Sequence, residues 1–130
     1  MKLVRADEGS FVPASHEDQA RPGVLKRVIA TRQDILKGQI MMVNWAQLPG
    51  GSSFQRHYHE DMQEVFVLLS GKVRMTVGEA ICEVTAGDTV IVDPREVHEM
   101  QNLQQTPAEY IVFGVSTEEG GRTVVELEPA

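Results

Sequence analysis

The 130-residue sequence has little sulfur chemistry and no long hydrophobic run. Its one cysteine, Cys82, excludes an internal disulfide, and we expect it to be a small buried core residue. Nowhere do about 18 apolar residues run together, which excludes a membrane-spanning helix, and residues 1–8 lack the apolar stretch of a secretory signal. These absences predict a soluble protein of a reducing, cytoplasmic compartment.

Concentrated positive charge is also missing. The formal net charge is −7, and Lys26 and Arg27 are the only adjacent cations. Scattered cations cannot neutralise a row of phosphates, so nucleic-acid and anionic-membrane binding are excluded as expected functions. The acidic pairs Glu17-Asp18 and Glu118-Glu119 are expected to lie on solvated loops.

Hydrophobic residues occur in short runs separated by glycine, proline and polar turns, which is typical of β-strands. The pattern predicts about ten strands, at residues 24–30, 40–48, 53–58, 64–69, 72–77, 80–84, 89–92, 97–103, 109–116 and 123–127. With no internal repeat or linker, this predicts one all-β antiparallel domain over residues 1–130. Residues 24–128 would form its barrel and residues 1–23 an N-terminal segment.

Two polar stretches are candidates for structure other than strand. Ser15 is a candidate N-cap for one helical turn that ends at Pro22-Gly23. Residues 31–37 are either a loop or a short helix. Neither stretch carries chemistry in this interpretation, and we expect His16 to be exposed and without a partner.

Four side chains that can bind a metal stand in one arrangement: His57, His59, Glu64 and His98. Residues i and i+2 of a strand point to the same face, so His57 and His59 can aim at one point. Glu64 would then be their neighbour across a hairpin. A divalent metal is the simplest common target, because a buried histidine and carboxylate cluster is costly unless its atoms are partnered.

The spacing around these residues resembles that of the cupin family. The family's first motif, G-x5-H-x-H-x3,4-E-x6-G, is matched at every fixed position from Gly51 to Gly71. Its second motif, G-x5-P-x-G-x2-H-x3-N, is matched in residues 87–102 at Gly87, His98 and Asn102. Asp93 stands where the family's proline is usual, and Arg95 where its glycine is usual.

This resemblance implies a double-stranded β-helix, or jelly-roll, barrel whose interior is lined by the two motifs at 51–71 and 87–102. It also implies a homodimer, because small single-domain members commonly pair through an N-terminal strand. Residues 24–30 and 40–48 are the candidates for that contact.

The departure from the second motif lies in the turn at residues 93–96. Arginine tolerates a positive φ poorly, whereas Asp93 followed by Pro94 suits a type I turn that needs none. We therefore expect a re-formed type I turn that keeps His98 in register with the other ligands.

Strand alternation predicts which residues share the interior with the ligands. Gln55 would lie on the face of His57 and His59, and the other expected pocket residues are Phe66, Leu68, Met100 and Asn102. For Phe66, Leu68 and Met100 a plain core role is the stronger alternative. Gln55 and Asn102 could instead orient a ligand histidine or a substrate. The orientation of Tyr110 and Trp45 stays open.

Three imidazole nitrogens and one carboxylate oxygen suit one divalent transition metal, which could be Fe, Mn, Ni, Co, Cu or Zn. The favoured hypothesis is a metal-dependent enzyme that acts on a small organic molecule inside the barrel. The candidate reactions are oxygen activation, as in dioxygenases, and metal-assisted isomerase or lyase chemistry. The absence of an identifiable general base favours oxygen activation over isomerisation, although a metal-bound hydroxide could itself be the base. The alternatives are a non-catalytic small-molecule binding or sensor module and a structural barrel with an incidental metal.

Overall fold

A computed structural model describes residues 1–118 and 122–126, which fold into eleven β-strands. The strands are β1 Val12–Pro13, β2 Leu25–Thr31, β3 Ile40–Leu48, β4 His57–His59, β5 Gln63–Ser70, β6 Lys72–Val77, β7 Ala80–Thr85, β8 Thr89–Val92, β9 His98–Gln101, β10 Ala108–Val115 and β11 Thr123–Val125. Across these described residues the chain forms no helix, and hence none that could cross a membrane.

The strands form two antiparallel sheets that enclose one core. The larger sheet has the order β1-β2-β3-β10-β5-β8, and the smaller has the order β11-β4-β9-β6-β7. Consecutive strands such as β4 and β5 lie in different sheets, which is the alternation of a jelly-roll barrel. The predicted all-β double-stranded β-helix is therefore confirmed.

Alternation along the central strands places their apolar residues in the core. In β10, Ala108, Tyr110 and Val112 are buried while the intervening side chains are only half-buried. Leu48 of β3 and Met75 of β6 are fully buried between the sheets. This apolar interior is the frame on which polar side chains inside the barrel are positioned.

Several sequence expectations about local structure are wrong. The strand expected at residues 53–58 is reduced to β4, and residues 53–56 contribute only the isolated bridge between Ser53 and Gln101. Residues 15–20 form turns and bends instead of the expected helical turn, whereas residues 32–37 form a loop, one of the two alternatives given for them. Cys82 is exposed, because it lies on the edge strand β7, where Val84 alone is buried. The predicted strand end and barrel end at residues 127 and 128 lie outside the described residues.

The turn at residues 93–96 also differs from expectation. Arg95 has φ 70°, and the Glu96 amide donates to the Asp93 carbonyl at 3.2 Å, which is the pattern of a type II turn with Pro94 at its second position. The type I turn expected here is therefore wrong. The register of His98 is nevertheless kept, because the Arg95 amide donates to the carbonyl of His59 at 2.7 Å.

Arg95→Gly is expected to stabilise the fold. A side chain in the left-handed region costs about 1–2 kcal/mol, and part of the gain is offset by the greater freedom of glycine in the unfolded chain. The side chain of Arg95 is exposed, so its removal loses little packing. We expect a net rise in the free energy of unfolding of about 0.5–1 kcal/mol by urea denaturation. Arg95→Ala keeps the Cβ atom and should show no gain, and an equal gain in both variants would contradict this explanation.

Candidate metal centre and cavity

The four predicted ligands meet inside the barrel. All are buried, and one nitrogen or oxygen atom from each lies within 4.8 Å of the others. His57, His59 and His98 come from β4 and β9 of the smaller sheet, where His57 pairs with His98. Glu64 comes from β5 of the larger sheet, so it faces the histidines across the barrel and is not their hairpin neighbour as expected.

The outer nitrogen of each histidine ring is held by a hydrogen bond. His57 Nδ1 donates to the carbonyl of Gln55 at 2.6 Å, and His98 Nδ1 donates to that of Glu96 at 2.9 Å. His59 Nδ1 bonds the hydroxyl of Thr123 at 3.0 Å. A carbonyl can only accept, so each of the two rings that donate to a carbonyl, in its neutral form, has its lone pair on Nε2. Such contacts are the ones that orient histidine ligands in metal sites.

The inner nitrogens converge on one carboxylate oxygen. Glu64 Oε1 lies 2.7 Å from His59 Nε2, 3.1 Å from His98 Nε2 and 4.0 Å from His57 Nε2. Lone pairs that face an anionic oxygen repel it unless a cation or a proton lies between them. Three nitrogens and one oxygen fit a divalent transition metal better than Ca²⁺ or Mg²⁺, which prefer oxygen ligands.

Electrostatics favour the metal-binding forms of these residues. Burial opposes ionisation of Glu64, but when a proton instead of a metal ion lies between the carboxylate and the Nε2 atoms of His59 and His98, hydrogen bonds from these rings outweigh burial and lower the pKa of the carboxyl. Burial, reinforced by His16 and His98, lowers the pKa of His57 to about 3. At neutral pH the site thus presents an ionised carboxylate and a neutral imidazole on His57, the forms that bind a metal ion.

A cavity of about 160 Å³ lies beside the cluster. Three of the four ligands, His57, His59 and Glu64, line it. Its walls are mostly apolar, with Phe54 and Phe66 near the ligands and Val112 on β10. An apolar chamber with a few convergent polar groups is the usual anatomy of a small-molecule site.

The expected pocket residues divide into three groups. Phe66 lines the cavity and also belongs to the hydrophobic core, so both roles given for it are observed. Leu68 and Met100 belong to the packed hydrophobic core, the alternative that was favoured for them. The side chain of Gln55 is exposed, so its predicted place beside His57 is wrong, because residues 53–56 are not a regular strand and alternation does not extend through them. Phe54 is buried in its place.

Asn102 has a structural role instead of orienting a ligand. Its buried amide donates to the carbonyls of Leu48, Pro49 and Thr106, and its Oδ1 accepts from the amide of Gln104. These bonds satisfy the amide completely and tie together two loops at the end of the barrel.

His16, expected to be exposed, packs against the centre. Its ring stacks on that of His57 with centroids 4.0 Å apart, and its side chain is 18% exposed. Burial lowers the pKa of His16 to about 4, so the ring is neutral. Its Nε2 lies 3.4 Å from a carboxylate oxygen of Glu17 but outside hydrogen-bond geometry, and it has no hydrogen-bond partner among the described residues. No local pattern in the sequence marks this contact.

Glu17 holds this segment, which we call the strap (residues 14–23), on the barrel. Its carboxylate accepts from the amides of Gly23 at 2.5 Å and Gln55 at 2.7 Å. The side chain is 1% exposed, so the expectation that Glu17 lies on a solvated loop is wrong. The neighbouring Asp18 is exposed, as expected. Strap residues Ala14, Ser15 and His16 form one wall of the cavity.

Two further polar residues line the cavity. Asn44 is buried on the inward face of β3, between Met42 and Ala46, and Tyr110 is buried on β10. Burial, with Glu64 and Glu17 nearby, raises the pKa of Tyr110, so the phenol keeps its proton. Side chains alternate along β3, so the buried position of Leu48 implies that Ala46 and Asn44 also face the barrel interior. This signal was present in the sequence. Trp45 lies on the other face, where the guanidinium of Arg27 stands 5.7 Å from its ring centroid.

One family model and two known sequences match this chain. The cupin domain model matches residues 44–114. An uncharacterized protein of Methanocaldococcus jannaschii is 25% identical over 107 residues, which are 82% of each chain. Mannose-1-phosphate guanylyltransferase RfbM of Salmonella typhimurium is 26% identical over 126 residues, but this chain spans only 25% of its length.

Solved structures share the fold at low identity. A predicted oxalate decarboxylase from Thermotoga maritima superposes with a TM-score of 0.77 at 22% identity, covering 88% of this chain and 99% of that one. The polyketide cyclase RemF from Streptomyces resistomycificus superposes with a TM-score of 0.78 at 14% identity, covering 99% and 87%. At these identities the likeness establishes the fold alone.

Proposed function

Because this chain belongs to the cupin family, we propose that it is a metal-dependent enzyme that binds one divalent transition metal and acts on a small organic anion inside the barrel. The observation that carries the proposal is the convergence of three oriented histidine nitrogens on Glu64 beside an apolar cavity of about 160 Å³. A metal held by His57, His59, Glu64 and His98 would supply a Lewis acid to a substrate oxygen.

The charges around the cavity favour an anion. A divalent ion with one carboxylate and neutral imidazoles leaves the centre with a net positive charge. Lys26 lines the cavity and donates to the hydroxyl of Ser15 at 2.8 Å, and it adds a second positive charge. Burial lowers the pKa of Lys26, because the charged ammonium group is less well solvated there. A bound anion would stabilise that charged form.

The chain's own residues also change the balance between reaction types. The sequence shows no general base, and this favoured oxygen activation. The cavity contains the neutral imidazole of His16 and the protonated phenol of Tyr110, either of which can move a proton at a bound substrate. We therefore favour a metal-assisted proton transfer, as in an isomerase or lyase, over an oxygen-activating reaction.

Metal analysis tests the first part of this proposal. Protein purified without added metal, under anaerobic reducing conditions, is expected to contain close to one equivalent of a transition metal by elemental analysis. The His57→Ala variant should contain none, while His16→Ala, which removes an imidazole that is not a ligand, should retain it. Wild-type protein with no metal would refute the site.

Proton transfer tests the second part. Metal-loaded protein in D₂O, offered a panel of small 2-oxo and hydroxy acids, should incorporate deuterium beside a carbonyl or carboxylate, as detected by NMR. Consumption of oxygen by the Fe(II) form without deuterium incorporation would support the oxygen-activating alternative instead. Binding of the acids without any turnover would support a binding or sensor module.

A further inference from the structure

Asn44 has a feature that its fold position does not explain. On the inward face of β3 its neighbours Met42, Ala46 and Leu48 are apolar, and the side chain of Asn44 is buried among them. The amide nitrogen faces Met42 Sδ at 3.7 Å, and a thioether can only accept, which fixes the orientation of the amide. Oδ1 then has no hydrogen-bond partner within the described residues.

An unpaired amide oxygen in a core position destabilises a fold, and such groups in native proteins call for an explanation. Asn44 lines the same cavity as the candidate metal ligands. A carbonyl-type oxygen can only accept, so its partner must be an O–H or N–H donor. Asn44 Oδ1 is thus placed to accept a hydrogen bond from a donor group of a molecule that occupies the cavity.

Strand pairing sets the distance between Asn44 and the candidate metal ligand Glu64. Asn44 pairs with Val112, Val112 pairs with Phe66, and Glu64 lies two residues before Phe66 on β5. Two strand spacings and one two-residue step place the Cα atoms of Asn44 and Glu64 about 12 Å apart. The two side chains and a metal ion fill part of this distance. The remaining gap fits a ligand whose two terminal oxygen atoms are about 6 Å, or about five bonds, apart.

The paired residues that lie between the two ends are hydrocarbon, while His16 and Tyr110 also line the cavity. Phe66 and Val112 lie between Asn44 and the ligand cluster. A dry cavity of about 150 Å³ can hold a benzene ring, so a chain of about six to eight non-hydrogen atoms fits this one. The cavity therefore presents a positive end, an apolar middle and an acceptor.

We propose that Asn44 is a specificity-determining residue that accepts a hydrogen bond from a terminal hydroxyl of a short hydroxy-carboxylate whose carboxylate binds at the metal centre. This inference rests on the proposed function, since the carboxylate needs a metal at His57, His59, Glu64 and His98. It goes beyond that function by naming the substrate class and the end of the substrate that is read.

Calorimetric binding to zinc-loaded protein tests the proposal with matched acids. We expect 4-hydroxybutyrate, whose hydroxyl is five bonds from a carboxylate oxygen, to bind about tenfold more tightly than butyrate. In Asn44→Leu that preference should disappear. Gln47→Leu also replaces an amide side chain with leucine, but on the outward face of β3, and should keep the preference. In 2-hydroxybutyrate the hydroxyl is too close to the carboxylate to reach Asn44, so its affinity relative to that of butyrate should be the same in Asn44→Leu as in the wild type.

The outcomes separate this inference from the proposed function. Equal binding of 4-hydroxybutyrate and butyrate by the wild-type protein would overturn the role of Asn44 and leave the anion-binding metal site intact; this comparison needs no variant to fold. A hydroxyl preference that survives in Asn44→Leu would also overturn it. If zinc binds but neither acid does, the proposed function fails and the inference fails with it.

Discussion

Replacing His98 with alanine is expected to lower the affinity for a divalent transition metal by more than about 100-fold, because loss of a residue that merely supports a ligand already costs about 10- to 100-fold. His98 Nε2 lies 3.1 Å from Glu64 Oε1, and its ring is oriented by the carbonyl of Glu96. The variant loses a coordinating atom and leaves the Glu64 carboxylate buried with one partner fewer. Zinc affinity can be measured by competition with a chromophoric chelator.

The same substitution should abolish stabilisation by metal. Three ligands come from the smaller sheet and Glu64 from the larger, so a bound ion links the two sheets. Metal at 100 times its dissociation constant stabilises the folded state by about 2.7 kcal/mol, or about 10 °C in melting temperature for a chain of this size. We expect that shift in the wild type and in His16→Ala, and none in His98→Ala. A full shift in His98→Ala would mean that the metal binds elsewhere.

Much of the His57, His59, Glu64 and His98 cluster was predictable because its signal is local. His57 and His59 share a face for the simple reason that side chains alternate in a strand, and β4 obeys that rule over its three residues. Alternation within β5 likewise brings Phe66 inward together with Glu64. Both predictions use alternation within one strand, so they hold although β4 and β5 lie in different sheets.

Alternation failed where the strand itself was absent. Residues 53–56 make one isolated bridge, so the face of His57 cannot be extended back to Gln55. The turn at residues 93–96 failed for a different reason: Pro94 suits type I and type II turns equally, and the contact that selects between them is the bond from the Arg95 amide to His59, far away in sequence.

The strap was the least predictable part, because its contact with Gln55 is long-range and its residues 15–19 are all polar. Glu17 looks like one of two acidic surface residues, yet it bonds the amide of Gln55, 38 positions away. Local composition cannot tell it from Asp18, whose carboxylate makes a bond of similar length to the amide of Ala20, at 2.9 Å, but in solvent. Burial makes the difference, and burial is decided by where the strap lies on the barrel.

Because Glu17 is buried and Asp18 is exposed, we expect substitutions at these two residues to have very different effects on stability. Glu17→Gln keeps one acceptor but turns an NH₂ group toward the second amide, so a buried N–H of Gly23 or Gln55 loses its partner. Hydrogen bonds to buried charged groups contribute about 1.5–3 kcal/mol, and we expect the free energy of unfolding to fall by about 2 kcal/mol in urea. Asp18→Asn removes the same charge one residue away in solvent and should change it by less than about 0.5 kcal/mol.

Amide hydrogen exchange can show whether the lost stability is local to the strap. Exchange of the Gly23 and Gln55 amides should become faster in Glu17→Gln than in Asp18→Asn, because the strap then opens without global unfolding. The metal ligands are anchored in β4, β5 and β9, so metal affinity should be retained, whereas the cavity loses the wall formed by Ala14 and His16. Affinity for an organic anion should therefore fall while metal affinity does not. If the two fall together, or if Glu17→Gln behaves like Asp18→Asn, the strap does not close this cavity in solution.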